Sequence, residues 1–314
     1  METRQKKLFF IYNPHSGKAQ IKNKISEIID LFVKNHYEVT VHPTQEREDA
    51  LHMVEQKSGE YDMIVFSGGD GTVNEVVSGL MKTGRRPVLG YIPSGTVNDF
   101  AASLHIPRDL RKAAHLIVEG MPFDCDIGGF NDKYFSYVAA FGIFTDVAYQ
   151  TPQHFKNILG KTAYVLEGAK QLYNLKSYHM TVCYQDKVLE DDFIFGLITN
   201  STSVGGFKGY RGKGVKLDDG EFEVSLIKAP KNPIEMQIII SALLQKEINQ
   251  DFITTFRASE LKIVCDEEVS WTLDGEFGGS YTEVSIQNHC RAIRIMTDPI
   301  KMIESLMEAE SEEG

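Results

Sequence analysis

Two glycine-rich stretches hold the residues best suited to chemistry. Ser67-Gly68-Gly69-Asp70-Gly71-Thr72-Val73-Asn74-Glu75 follows the apolar run at 62–66, and Val73, Val76, Val77, Leu80 and Met81 recur behind it at helical spacing. This order predicts a strand, a tight turn and a helix. Glycine suits a turn whose backbone takes positive φ or lies close to a ligand. The unpaired N–H groups at a helix start, at the positive end of its dipole, favour an anion such as phosphate. Asp70 would repel a phosphate, so it suits Mg2+ or a water network beside one; the alternative is a helix cap. Pro93-Ser94-Gly95-Thr96-Val97-Asn98-Asp99-Phe100 repeats the plan after a second predicted strand at 88–92. Both turns then fall at one edge of a parallel sheet, beyond the strand C-termini, where open α/β sheets bind ligands.

The pair Gly-Gly-Asp-Gly-Thr (68–72) and Gly-Thr-x-Asn-Asp-Phe (95–100) resembles the diacylglycerol kinase catalytic superfamily, and within it the soluble bacterial lipid kinases of the DgkB/YegS kind. The first motif alone also occurs in NAD kinases; the pair is more specific. The resemblance implies ATP as co-substrate, Mg2+, and a lipid alcohol as phosphoryl acceptor, foremost diacylglycerol giving phosphatidic acid. Rival readings are a kinase of another lipid alcohol (a sphingoid base or phosphatidylglycerol), an NAD kinase-like phosphotransferase, and a nucleotide-binding regulator without catalysis. Aromatic residues of the second half (Phe135, Tyr137, Phe141, Phe144, Phe193, Phe195) favour a lipid acceptor weakly, since sandwich cores are also aromatic.

Residue by residue, the nucleotide set comprises Gly69, Asp70, Gly71, Thr72, Asn74 and Glu75 from the first motif and Thr96, Asn98 and Asp99 from the second. Asn13, Ser16 and Gly17 follow the first predicted strand at the same edge and offer amide, hydroxyl and backbone donors to ATP phosphates; an Asn-Pro turn capping the first helix is the alternative. Thr44 matches a nucleotide-contacting position of the family, and Asn74 and Glu75 are placed to reach adenine or ribose. Asp126, in a predicted crossover turn at 122–128, matches an aspartate that organises the catalytic metal and waters. The resemblance assigns a structural Mg2+ to Asp219 and the carbonyls of Lys216 and Glu221, although Asp218-Asp219-Gly220 is also an ordinary hairpin signal. The resemblance further implies that Asp274-Gly275-Glu276, otherwise an Asp-Gly turn signal, supplies the general base that a lipid hydroxyl needs. Strand alternation would set both carboxylates on one face, with Asp274 favoured and Glu276 next, because spacing cannot order them. One departure is Ala101-Ala102, where the family often carries arginine; Lys208, Arg211, Lys213 and Lys216 around Tyr210 form a basic loop that can compensate.

The elements that must position these residues follow from periodicity. Strands at 8–12, 37–41, 62–66 and 88–92 alternate with helices through Ile21, Ile25, Ile28, Phe32 and Val33, over 48–56, behind Asp70 and over 109–119, which predicts a doubly wound parallel sheet. After about residue 122 the strands become short and partly alternating, the pattern of an antiparallel β-sandwich. Helical insertions are predicted at 163–173 and 233–244. The fold class is therefore α/β plus all-β. A nucleotide-binding α/β domain spans 1–122 plus 298–314, through a C-terminal helix containing Ile300, Ile303, Leu306 and Met307, and a lipid-binding β-sandwich spans 123–297.

The chain of 314 residues has 33 basic and 44 acidic residues and a net charge of −11. Nucleic-acid binding, which needs positive surface, is not expected. Peripheral membrane contact requires a local basic patch, and a homodimer is compatible with the sequence. The first residues lack the apolar run of a signal peptide. Cys125, Cys183, Cys265 and Cys290 are scattered, as suits reduced thiols. A cytoplasmic protein that visits the inner face of the membrane is expected. Gly160-Lys161-Thr162 ends like a P-loop, but Phe155 stands where its first glycine belongs, which leaves phosphate binding to the glycine turns.

Overall fold

The structure, a computed structural model, describes residues 5–142, 176–201, 215–245, 249–304 and 307. The expected helix at 163–173, Phe144, the basic loop through Lys208, Arg211 and Lys213, and the acidic tail after 307 lie outside these residues.

Strands β1 (Lys6–Tyr12), β2 (Tyr37–Pro43), β3 (Met63–Gly68) and β4 (Val88–Pro93) run parallel in the order β2-β1-β3-β4. Helices cover both faces of the sheet, so Leu8–Ile11 and Ile64–Phe66 are buried on either side and read as unbroken apolar runs. Helices α1 (Ile25–Lys34) and α5 (Leu110–Glu119) pack together on one face, and α2 (Asp49–Lys57) and α3 (Asp70–Thr83) on the other. A short α4 (Asp99–Ser103) follows β4. Right-handed crossovers in opposite directions from β1 produce this double winding. Asp109 caps α5, its Oδ1 accepting from the backbone N–H of Arg111 at 3.1 Å and Lys112 at 3.0 Å. Val33 departs from its expected inward position and is exposed, because it lies 100° round the helix from Phe32, past the buried stripe of Ile28 and Phe32.

The second half is antiparallel: β5 (Met121–Phe130), β6 (Lys133–Phe135), β7 (Val138–Gly142), β8 (Tyr178–Tyr184), β9 (Lys187–Thr199), β10 (Phe222–Lys228), β11 (Ile253–Ala258), β12 (Glu260–Leu273) and β13 (Glu276–Thr297), with α6 (Pro233–Gln245) between β10 and β11. The long strands β9 and β12 each pair with β8 along one half and with β7 along the other. They thereby wrap a sandwich core in which the rings of Phe130 and Phe141 lie 5.0 and 4.9 Å from Trp271. Phe135, Tyr137, Phe141 and Phe193 are buried in the interior, so these aromatics serve packing and carry no argument for a lipid acceptor. Residues 122–128, read from sequence as a crossover turn, belong to the continuous strand β5. Pro122, Gly128 and Gly129 weaken its strand signal, but the ring of Phe135 lies where a side chain at Gly128 would project.

Strand β13 joins the halves. It pairs antiparallel with β12 and β5, and parallel with β4 at Arg294 and Ile295. The described strands therefore form one thirteen-stranded sheet. Residues 299–304 are helical and return to the α/β core through Met302, whereas Ile300, Ile303 and Met307 face outward. No helix among the described residues is long and apolar enough to cross a membrane.

Candidate active site

A cleft of about 850 Å3 lies between the C-terminal edge of the parallel strands and the β12–β13 hairpin. The ends of the four parallel strands are bonded to one another at this edge. The Asn13 N–H donates to the Ser67 carbonyl at 2.8 Å, Thr44 N–H to Tyr12 at 2.9 Å, and Ser94 N–H to Gly68 at 2.9 Å. Gly69 is extended rather than left-handed, with φ −97°. Glycine is required here for close approach: a Cβ on Gly95 would stand 2.5 Å from the Gly69 Cα. Asn13, Ser16, Thr44, Gly69, Gly71, Thr72, Asn74, Glu75 and Glu276 line the cleft. Gly17, Asp70, Thr96, Asn98 and Asp99 do not line it.

Several of these side chains are committed to the protein itself. Asn98 is buried in the left-handed conformation; its Oδ1 accepts from Gly95 N–H at 3.0 Å and its Nδ2 donates to the Gly95 carbonyl at 2.9 Å. It shapes the second turn. Asn74 was expected near adenine or ribose, but its Nδ2 donates to the Tyr134 carbonyl at 2.9 Å and to Asp274 Oδ2 at 3.1 Å. The Glu75 carboxylate accepts from the N–H groups of Glu48 at 2.9 Å and Ala50 at 3.3 Å, which fixes the start of α2. Burial raises the Glu75 pKa against these donors.

Asp70 behaves differently. It opens α3 without capping it, and its Oδ2 accepts from Asn98 N–H at 2.9 Å, tying the two glycine turns together. Its Oδ1 is buried without a hydrogen-bond partner. Burial, with the charge of Asp99 second, pushes its pKa up to about 6. An acidic oxygen left over beside a phosphate-type turn fits a water or a cation accompanying a nucleotide.

Asp274 and Gly275, with φ of 51° and 83°, are the central pair of the two-residue turn between β12 and β13. Strand alternation therefore does not apply across this motif, contrary to the expectation of two carboxylates on one face. Asp274 is buried, and its carboxylate accepts from the backbone N–H groups of Ser136 at 2.7 Å, Tyr137 at 3.0 Å and Val138 at 3.2 Å as well as from Asn74. Burial raises its pKa in spite of those donors. Glu276 is exposed at the cleft wall.

Asp126 lies fully buried within β5, away from the cleft lining. Its two oxygens accept from the N–H groups of Arg291 and Gly220, each at 2.6 Å. It thus clamps the 218–221 turn, and burial raises its pKa. In that turn Asp219 Oδ1 accepts from Glu221 N–H at 3.1 Å, while Oδ2 is paired with the Arg257 guanidinium. Asp218 is paired with Arg291 Nη2 at 3.2 Å. Lys216 is half-buried at the start of the loop. Among the described residues no group of three or more His, Cys, Asp or Glu side chains is arranged to hold a metal. Both aspartates are thus paired to arginines, so Asp219, the one side chain in the Mg2+ set expected with the carbonyls of Lys216 and Glu221, already faces a guanidinium.

Sequence reasoning did not single out His15, Arg47, Tyr134 or Phe277, which also line the cleft. His15 follows Asn13 in the first turn and was legible by position. Tyr134 and Phe277 sit on locally paired hairpins, β5–β6 and β12–β13, and reach the cleft because these fold over α3.

The fold and cleft define a two-lobed protein, with an α/β lobe whose glycine turns face an acidic hairpin of a β-sandwich lobe. The diacylglycerol kinase catalytic domain family matches residues 7–130. The chain is 36% identical over 276 residues to a diacylglycerol kinase of Bacillus subtilis (strain 168), covering 87% of this chain and 91% of that protein. It is 32% identical over 307 residues to a diacylglycerol kinase of Staphylococcus epidermidis, covering 97% and 96%. A solved structure from Bacillus anthracis str. Sterne, described as a candidate diacylglycerol kinase, superposes with a TM-score of 0.80 at 25% identity, covering 96% of this chain and 98% of that one. The chain belongs to the diacylglycerol kinase catalytic-domain family.

Proposed function

We infer that the protein is an ATP-dependent lipid kinase that transfers the γ-phosphoryl group to the free hydroxyl of diacylglycerol, yielding phosphatidic acid. The observation that carries this reading is the cleft in which the glycine turns face the exposed carboxylate of Glu276. The turn at 69–72, which opens α3, holds the triphosphate together with the cleft-lining side chains of Asn13 and Ser16. A divalent ion bound with ATP would supply charge neutralisation for the transferred group, and the unpartnered Oδ1 of Asp70 would hold that ion or its water. Glu276 takes the hydroxyl proton as the acceptor oxygen attacks phosphorus. Asp274, which the sequence reading places just ahead of Glu276 as base, is enclosed by four donors, which supports a positioning role: it fixes the hairpin that presents Glu276. Asn74 connects that hairpin to the nucleotide helix.

Diacylglycerol resides in bilayers, so the reaction belongs at a membrane surface, and its ATP supply places it on the cytoplasmic side. The test is transfer of labelled phosphate from ATP to a panel of diacylglycerol, sphingoid base, phosphatidylglycerol and NAD in mixed micelles. Label on diacylglycerol supports the reading; label confined to another acceptor overturns it.

A further inference from the structure

The family resemblance puts a structural Mg2+ at the 218–221 turn, and this chain fills that place with its own side chain. We propose that Arg257 is the resident cation of the turn, so that the loop is held by a guanidinium and needs no divalent ion. The proposal rests on the kinase reading only in taking from it that this turn needs a cation.

Strand pairing sets the arrangement. Arg257 on β11 stands directly opposite Glu223 on β10, two residues beyond Glu221. The side chain therefore emerges beside the turn without any long-range adjustment. Its Nη2 pairs with Asp219 Oδ2, and its Nε lies 3.5 Å from both Glu221 and Glu223. Glu223 is 7% exposed and its two oxygens have no hydrogen bond, so the guanidinium is the cation the structure sets against that buried acid. The guanidinium hydrogen-bonds Asp219, and its Nε, which has no hydrogen-bond partner, stands within ion-pair distance of the other two acids. A Mg2+ ion demands near-octahedral oxygen ligands at about 2.0–2.1 Å. At Asp219 Oδ2 such an ion would stand against the fixed positive charge of the guanidinium already paired there. Asp219 Oδ1 is already bonded to Glu221 N–H, and Asp218 is turned to Arg291. Asp126 then locks the loop from beneath through Gly220 and Arg291. The loop thus has an anion for each arginine and a backbone clamp.

The experiment is thermal melting of the full chain without nucleotide, in EDTA and in excess MgCl2, with elemental analysis of the purified protein. Wild type is expected to melt at the same temperature in both buffers and to contain no stoichiometric magnesium. Arg257→Met is expected to melt about 3–6 °C lower in EDTA and to regain most of that loss with Mg2+, because Asp219, freed of its guanidinium, can then turn to a divalent ion with the carbonyls of Lys216 and Glu221. Arg257→Lys keeps the charge and should melt between the two; it serves if Arg257→Met does not fold. A fall in the wild-type melting temperature on chelation, or one magnesium per chain in the wild type, overturns the proposal. So does an Arg257→Met variant that melts like wild type. Because melting is read without ATP or lipid, these outcomes stand apart from the phosphoryl-transfer assay that tests the function.

Discussion

Asp70 and Asp219 each sit beside a glycine in a tight turn, and the fold gives them opposite surroundings. Around Asp70 stand the Asn98 N–H and two other acids, Asp99 and Asp274, and one carboxylate oxygen is left buried without a hydrogen-bond partner. Around Asp219 the neighbours are a guanidinium and a backbone N–H, and both oxygens are taken. The first turn stores unsatisfied negative potential next to a cleft; the second has spent it on holding a loop. An Asp-Gly pair in sequence therefore says that a turn is present but not whether its carboxylate is available. The same division separates Glu276, exposed at the cleft, from Asp274, whose carboxylate is enclosed two residues earlier.

The sharpest way to break this division is at the hairpin. Glu276→Gln should lower kcat by about 10²–10⁴-fold while ATP binding, measured by calorimetry, stays unchanged, since the phosphates lie on the other lobe. Near-normal turnover in this variant would remove Glu276 as the base. By contrast Asp219→Ala should act mainly on stability, lowering the melting temperature and leaving kcat within several-fold. If Asp219→Ala instead loses turnover without losing stability, the two turns are not different in kind.

Next in size is the approach of the two glycine turns. Gly69→Val places a branched side chain 3.2 Å from the Gly95 Cα at its first atom alone, and its methyl groups extend into the phosphate space. ATP affinity should fall by at least about tenfold, or about 1.4 kcal/mol, in a chain whose circular dichroism is unchanged. Undiminished affinity would move the triphosphate elsewhere.

Asp274→Asn separates an enclosed acid from a working one. Oδ2 faces donors from Asn74 and Ser136, and Oδ1 faces donors from Tyr137 and Val138. Either orientation of an asparagine amide sets its NH2 against two donors. The variant should lose about 1–3 kcal/mol of stability, seen in urea unfolding, with a smaller loss of kcat than Glu276→Gln. A larger catalytic than structural effect would return the base to Asp274.

Much of this site was legible in sequence. The four parallel strands, both glycine turns, the exposed edge at Asn13, Ser16 and Thr44 and the turn at Asp274-Gly275 follow from local periodicity and turn chemistry. What escaped depends on pairing over distance. Asn74 and Asp274 are 200 residues apart and meet because the hairpin folds over α3. Arg257 reaches Asp219 only through the β10–β11 register. The strand through Asp126 was masked by its own proline and glycines, whose value lies in what packs over them. Local patterns mark where a polar side chain stands; its partners come from topology.

The smallest expected effect is the most diagnostic for Asp70, because it runs against intuition. Burial and neighbouring acids raise its folded-state pKa from 3.8 to about 6. For an acid whose folded pKa is raised, the favourable contribution is present below the unfolded value and is lost as pH rises through the folded value. Between pH 4 and 6, then, the ionisation of Asp70 costs the folded state stability, by about 2–3 kcal/mol in full. Asp70→Asn removes that cost and keeps an oxygen for the Asn98 N–H. The variant should melt a few degrees higher than wild type at pH 7 and match it near pH 4. Its kcat should be sharply reduced, and the fall of wild-type kcat below pH about 6 should vanish with it. A stability gain without loss of activity would show that the unpartnered oxygen has no catalytic task, and the contrast with Asp219 would then be one of packing alone.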